Sequence, residues 1–190
     1  LKIYNFFDKA GEKFLLGNRS DIFNQFLKEV NYEGDINVLV KKLVHIYRSH
    51  KPDISLYNDA IWALKYYSKQ VPLVLLTDGY FKTQQNKVES LNIDEYFEKY
   101  YYTDKWGKNY WKPNTFVFEK VQNDFISTDS NFVYISDNPE KDFIAPNKLN
   151  WNSIYIKREV GVYKGAKIPF NGEPKHIISS LFELKKILKI

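Results

Sequence analysis

The chain contains no cysteine and no methionine. Without cysteine, the protein has no disulfide, no thiolate metal site and no cysteine nucleophile. The sequence begins at Leu1 and, because it contains no methionine, shows no translation start. We therefore expect it to be an incomplete record of a longer protein, with a segment missing before Leu1.

Long apolar runs are also lacking. The longest is residues 71–76, which Pro72 interrupts, whereas a membrane-spanning helix needs about 20 apolar residues. The largely apolar residues 1–7 are followed at once by Asp8 and Lys9, without the cleavage site of a signal peptide. We therefore expect a cytoplasmic protein with no membrane partner.

Arginine is scarce for a chain with a formal net charge of +5 and a pI near 9.0. Of the 28 basic residues, three are arginines, at positions 19, 48 and 158. Arginine is the side chain that binds phosphates and bases through two parallel hydrogen bonds. Scattered lysines are typical of a solvated surface, so we expect no nucleic-acid partner.

The 190 residues fit one domain with a small addition. Residues 1–52 have the apolar spacing of amphipathic helices, with Ser20 or Asp21 before the first and Asp35 before the second. From residue 53 to 190, short apolar strands alternate with helices, which predicts a parallel sheet. The fold class is therefore α/β, with a Rossmann-like sheet flanked by helices and a small helical domain at residues 1–52.

Individual elements follow from the same patterns. Helices are predicted at residues 55–69 and 80–91, from Pro113 onward, and at 139–149 and 179–188. Strands are predicted at residues 73–76, 100–102, 132–135 and 154–156.

Polar side chains follow three of these predicted elements at their carboxyl ends. Thr77-Asp78-Gly79 comes after the first strand, Lys112-Pro113 after the aromatic strand and its loop, and the segment Ser136 to Asp142 after the third strand. The intervals from residue 77 to 112 and from 112 to 137 each match about one βαβ unit. Because ligands gather at the carboxyl ends of parallel strands, all three groups are expected to face one crevice.

These groups suit a phosphorylated ligand and a magnesium ion. The Thr77 hydroxyl and the free amides at the start of the next helix can hold phosphoryl oxygens, and Lys112 supplies a point charge. Asp137 and Asp142 offer the hard oxygen ligands that Mg²⁺ prefers. Asp78 is predicted to cap the helix that follows it.

In order and spacing, the three groups resemble the second, third and fourth motifs of the haloacid dehalogenase (HAD) superfamily, in which magnesium-dependent phosphatases predominate. The resemblance covers about residues 50 to 190, and Ser136 stands where the family usually has glycine. It implies Mg²⁺ as cofactor and a small phosphorylated substrate. It also implies a helical cap at residues 1–52, incomplete at its N-terminal side.

The resemblance assigns roles to the residues of the three motifs. It implies catalytic roles for Thr77, Lys112, Asp137 and Asp142, phosphate binding by Thr77, Asp78, Gly79 and Lys112, and metal binding by Asp137 and Asp142.

The family's first motif, Asp-x-Asp, is absent from the sequence. Its first aspartate would attack phosphorus to give an aspartyl phosphate, and its second would act as general acid and base. We expect this motif upstream of Leu1, on the central strand of the sheet. The alternative is a binding or scaffolding domain of the same fold that has lost its nucleophile.

One segment has a second interpretation. Residues 105–111 interleave lysines with Trp106, Tyr110 and Trp111, as a surface that binds single-stranded nucleic acid would. We favour a loop that packs its tryptophans on the domain and leads into Lys112.

Overall fold

The structure is a computed structural model that describes residues 12–13, 21–126, 131–163 and 165–189. The chain divides into two compact units, Leu1–His50 and Lys51–Ile190. The boundary predicted from the sequence falls two residues later. The assignment of the first unit as a cap stays a prediction.

The first unit contains two described helices, α1 (Ile22–Glu29) and α2 (Ile36–Ser49). Both confirm the predicted helical spacing. The Asp35 side chain caps α2, because it accepts a hydrogen bond from the Val38 amide at 3.0 Å. Asp21 precedes α1 but makes no such bond, and the other predicted cap, Ser20, lies outside the described residues.

The second unit alternates helices and parallel strands. Its helices are α3 (Asn58–Tyr67), α4 (Phe81–Leu91), α5 (Phe116–Phe125), α6 (Ile144–Lys148) and α7 (Leu184–Ile187). Its strands are β1 (Val74–Thr77), β2 (Lys99–Tyr102), β3 (Val133–Ser136), β4 (Asn152–Ile156) and β5 (His176–Ile178). The parallel α/β class is thereby confirmed. No described helix has the length and apolar character needed to cross a membrane.

The strands form two parallel ladders. In one, β1 pairs with β2, with Thr77 opposite Tyr102. In the other, β3 pairs with β4 and β4 with β5, with Ser136 opposite Tyr155. Within residues 21–126, 131–163 and 165–189, no strand joins the two ladders.

Residues of both ladders pack into one hydrophobic cluster. Phe118 of α5 is fully buried, and the cluster around it includes Leu76 of β1 and Tyr134 of β3. The Phe118 ring meets the Tyr134 ring edge-on at 5.0 Å and the Trp151 ring at 5.5 Å. Helix α5 therefore anchors the ends of β1 and β3 to one hydrophobic cluster.

Four helix predictions were clearly too long. The helix predicted at residues 55–69 is limited to α3. The helix predicted from Pro113 begins only at Phe116. Asn114 forms a turn there, because its side chain accepts a hydrogen bond from the Phe116 amide at 2.8 Å. The helix predicted at 139–149 is reduced to α6, because the Asn138 side chain accepts the Glu140 amide in a turn. The closing helix predicted at 179–188 is reduced to α7, which follows a 3₁₀ turn at Leu181–Glu183.

The aromatic loop at residues 105–111 packs as predicted. Trp106 joins the core cluster of α5 and meets Phe116 edge-on, with ring centroids 6.0 Å apart. Trp111 meets Tyr80 in the same way at 5.9 Å. Both tryptophan rings therefore pack against other residues of the second unit.

Candidate active site

A pocket of about 320 Å³ opens where β1 and β3 end. Thr77 and Ser136, the last residues of the two strands, both line it. The lining residues are mainly polar and charged: Leu76, Thr77, Asp78, Gln84, Lys87, Lys112, Tyr134, Ile135, Ser136, Asp137, Asn138, Lys141, Asp142 and Tyr163. The structure thus brings together five of the six predicted site residues, and Gly79 is the one that does not line the pocket.

Gly79 shapes the turn from β1 into α4. Its φ of +117° lies in a region that side-chain-bearing residues rarely adopt. A Cβ added there would lie 2.6 Å from Nε2 of Gln84. Glycine therefore permits both the turn and the position of the Gln84 side chain.

Asp78 was predicted to cap α4, and this prediction was wrong. The Phe81 amide at the start of α4 instead donates to Oδ2 of Asp104 at 2.9 Å. The Asp78 carboxylate is held by three donors: the Thr103 hydroxyl at 2.9 Å, the Lys112 amide at 3.1 Å and the Lys141 ammonium at 2.5 Å. Asp78 therefore ties the end of β1 to the backbone that carries Lys112.

Lys112 is a nearly buried cation, with 8% of its side chain exposed. Its ammonium donates to the Tyr134 hydroxyl at 3.0 Å and lies 3.1 Å from Oδ1 of Asp142. Burial by itself would lower the pKa of Lys112, but Tyr134 and the negative charges of Asp142 and Asp78 outweigh it and raise the pKa. Lys112 is therefore charged at neutral pH.

Asp142 is the buried partner of this lysine, with 3% of its side chain exposed. The Ser136 hydroxyl donates to its Oδ2. Its Oδ1 is buried and accepts no hydrogen bond, although the Lys112 ammonium is near. One oxygen of Asp142 thus retains capacity for a further electrophile in the pocket.

Asp137 is the one pocket aspartate that is exposed and lacks an ion pair among the described residues. Neighbouring protein atoms partly shield the carboxyl from water, and this desolvation raises its pKa. Asp142 adds to the rise, whereas Lys112 and Arg158 oppose it. Because the side chain is exposed, solvent screening weakens these effects. A bound cation beside Asp137 would favour the ionised form.

Two carboxylates are available for a divalent cation. Asp137 faces the pocket, and Asp142 has an oxygen without a hydrogen bond. The described part of the chain holds no group of three or more acidic, histidine or cysteine side chains suited to a metal. Magnesium is commonly bound by one or two carboxylates with water and substrate phosphate completing its shell. The residues present therefore fit Mg²⁺.

Sequence reasoning missed four residues that organise the site: Gln84, Thr103, Tyr134 and Lys141. Thr103 and Lys141 reach Asp78 from 25 and 63 residues away along the chain. Tyr134 could have been found, because strand alternation places it on the same face as Ser136, two residues later. For Gln84, the signal was its position on the first turn of the helix after the glycine.

The family assignment rests on a sequence comparison. Residues 3–156 match the model of the haloacid dehalogenase-like hydrolase family. The chain belongs to this family. A search of curated proteins finds no match.

Solved HAD-family structures share the fold at low sequence identity. The magnesium-bound HAD-hydrolase YfnB from Bacillus subtilis is 20% identical with a TM-score of 0.68, over 98% of this chain and 80% of that one. A HAD phosphatase from Thermococcus onnurineus is 20% identical with a TM-score of 0.60, over 97% and 87%. L-2-haloacid dehalogenase from Xanthobacter autotrophicus, with chloropropionic acid covalently bound, is 16% identical with a TM-score of 0.59, over 96% and 83%. The protein is therefore a HAD-like hydrolase by family and fold, and its neighbours span two chemistries.

Proposed function

We propose that this HAD-like hydrolase is a magnesium-dependent phosphatase of a small phosphorylated metabolite. The observation that carries the proposal is the convergence of Thr77, Lys112, Asp137 and Asp142 on one pocket. A volume of about 320 Å³ is at the small end of the range for metabolite sites. The polar lining supports a phosphoryl group over the apolar carbon chain of a haloacid.

The charge of the pocket supports a requirement for magnesium. Its lining includes three lysines, at positions 87, 112 and 141, and three aspartates, at positions 78, 137 and 142. Two of these lysines already face aspartates at 2.5 and 3.1 Å. A phosphoryl dianion entering a pocket with no net charge gains little attraction, so we infer that its binding depends on an added cation.

Each residue then has a defined task. The Thr77 hydroxyl would donate to a phosphoryl oxygen, and the Lys112 ammonium would stabilise the negative charge that develops during transfer. Asp137 would hold Mg²⁺, and Asp142 would position Lys112 and share in metal binding. The ion would neutralise phosphoryl charge when bound.

The attacking carboxylate of an aspartyl-phosphate mechanism needs a separate source. Among the described pocket residues, Asp78 is held by Lys141, and Asp137 and Asp142 are assigned to the metal. We therefore propose that the nucleophile belongs to a segment outside the described residues. The occupied state of these carboxylates also favours a second candidate, a HAD-like domain that binds phosphorylated ligands without hydrolysing them.

A hydrolysis assay separates the two candidates. The full-length protein is tested with p-nitrophenyl phosphate and a panel of phosphorylated metabolites, with Mg²⁺ and with EDTA. We expect magnesium-dependent turnover that falls at least about 100-fold in D137N, since the variant loses a metal ligand. The matched control is E140Q, which makes the same chemical change at an exposed residue of the same turn that does not line the pocket.

Calorimetry with Mg²⁺ and inorganic phosphate completes the test. Phosphate binding without turnover of any compound would overturn the phosphatase and support the binding domain. Equal turnover by D137N and E140Q would contradict the assignment of Asp137.

A further inference from the structure

Gln84 lies against Thr77 in the pocket but belongs to none of the three sequence motifs. Both residues line the pocket, and Gln84 is on the first turn of α4. The Thr77 hydroxyl donates a hydrogen bond to Oε1 of Gln84 at 3.0 Å. This bond fixes the rotation of the hydroxyl of the residue that we expect to contact the phosphoryl group.

The glycine turn creates the space for this amide. Nε2 of Gln84 would lie 2.6 Å from a Cβ at Gly79, which is closer than two such atoms can approach. The Gln84 amide therefore occupies the volume that a side chain at position 79 would take. The position of Gln84 depends on the glycine, and that of the Thr77 hydroxyl depends on Gln84.

With the Gln84 amide in this orientation, its bond to Thr77 competes with phosphate binding. A threonine hydroxyl has one proton, and here it is donated to Gln84, so it is not available to a phosphoryl oxygen. The side-chain amide of glutamine has nearly the same shape after a half-turn that exchanges its oxygen and nitrogen. After that turn, Nε2 of Gln84 would donate to the Thr77 oxygen, and the hydroxyl proton would be free.

We propose that Gln84 is a positioning residue for Thr77. When a phosphoryl group binds, the Gln84 amide rotates by a half-turn and so releases the Thr77 hydroxyl as a donor. The inference rests on the proposed phosphate-binding role of the pocket. It makes Gln84 act through Thr77, and it requires the amide to donate as well as accept.

A double-mutant cycle tests whether Gln84 acts through Thr77. Dissociation constants for inorganic phosphate, with Mg²⁺ present, are measured by calorimetry for wild type, Q84M, T77V and the double variant. Q84M keeps the side-chain length but neither donates nor accepts through an amide. We expect it to weaken phosphate binding about five- to tenfold, the effect of one hydrogen bond. In the T77V background, the same change should have less than about a twofold effect.

The variant Q84E tests the half-turn rotation of the Gln84 amide. Its carboxylate can accept the Thr77 proton but cannot donate, so we expect it to bind phosphate more weakly than Q84M. The control is Q85E, which adds the same charge at the next residue, outside the pocket lining, and should bind phosphate as wild type does. Thermal unfolding of each variant verifies that it is folded.

The outcomes are distinct. Equal losses from Q84M in the wild-type and T77V backgrounds would overturn the inference, because Gln84 would then act independently of Thr77. Phosphate binding by Q84E as tight as that by Q84M would contradict the proposed rotation of the Gln84 amide. A folded wild-type protein that binds no phosphate with Mg²⁺ would overturn the proposed function and this inference with it.

Discussion

Asp59 is a buried charge on which the stability of the second unit should depend strongly. It lies in α3 and is 5% exposed. Its carboxylate accepts two hydrogen bonds from Arg158, at 2.9 and 3.0 Å, one from the Ser180 hydroxyl at 3.0 Å and one from the Leu181 amide at 2.8 Å. This side chain therefore joins α3 to the segment after β4 and to the start of the closing 3₁₀ turn.

The variant D59A removes all four bonds and leaves Arg158 without its partner. Breaking a buried ion pair by removing one member costs about 3–5 kcal/mol of unfolding free energy. We place D59A toward the lower end, near 3 kcal/mol, because Arg158 is 22% exposed and can turn toward water. In a chain of this size, that loss lowers the melting temperature by about 6–12 °C.

Urea unfolding followed by circular dichroism measures the effect. The control is E89A, which breaks the exposed pair of Lys51 and Glu89, 3.1 Å apart, and should cost about 1 kcal/mol or less. A cost of D59A no greater than that of E89A would refute the importance of the buried pair. An R158A change that costs as much in the D59A background as in wild type would also refute it, since the two residues would then be energetically independent.

The same carboxylate gives a pH dependence. Burial alone would raise the pKa of Asp59, but the bonds from Arg158, Leu181 and Ser180 outweigh it, and the pKa lies below the ordinary 3.8. A group with a lowered pKa stabilises the fold fully at pH values above its pKa in the unfolded chain. This stabilisation is lost as the pH falls through its pKa in the folded protein. D59A should therefore differ most from wild type above pH 4 and converge with it in stronger acid.

Two further predictions concern the pocket. G79A should destabilise the protein by about 1–3 kcal/mol in urea unfolding, because alanine is strained at a φ of +117° and its Cβ would displace Gln84; unchanged stability and phosphate affinity would contradict this. Y134F removes the hydroxyl that accepts from Lys112 and keeps the ring, so phosphate affinity should fall about two- to tenfold. Y101F, which loses a buried hydroxyl bonded to Asp124 instead, is the control and should bind phosphate as wild type does.

The strand-end motifs could be predicted because their signal is local. Thr77 and Asp137 each follow a short apolar run, and the chain itself places them at the ends of parallel strands. Lys112 could be predicted from its spacing, which matches one βαβ unit. For Thr77 and Asp137, the information lies within a few residues of the side chain, and for Lys112 it lies in the interval of one βαβ unit.

The contacts of Asp78 could not be predicted, because no local pattern contains them. Its position just before a helix favours capping, yet Asp104, from another turn, binds the first amide of α4 instead. The carboxylate is then free to accept from the Lys112 amide and the Lys141 ammonium. Competition among side chains distant in sequence decided the outcome.

The elements at residues 176–188 also could not be predicted from local patterns. The apolar spacing of residues 179–188 predicts one helix, but Ser180 and Glu183 form a capping box that tightens the first turn into a 3₁₀ turn. Asp59 reinforces this turn by accepting the Leu181 amide. Strand β5 was missed because its three residues are too few for an alternating pattern.

The pocket residues of the motifs are held in place by residues outside those motifs. Asp78 receives the Thr103 hydroxyl and the Lys112 amide, and Lys112 in turn is held by Tyr134 and Asp142. The distance from Lys112 to the end of β1 therefore depends on Asp78, whose carboxylate Thr103 orients. The direction of the Lys112 side chain depends on Tyr134. Because electrostatic stabilisation of phosphoryl transfer requires donors that are already oriented, these supporting residues should affect turnover as strongly as they affect binding.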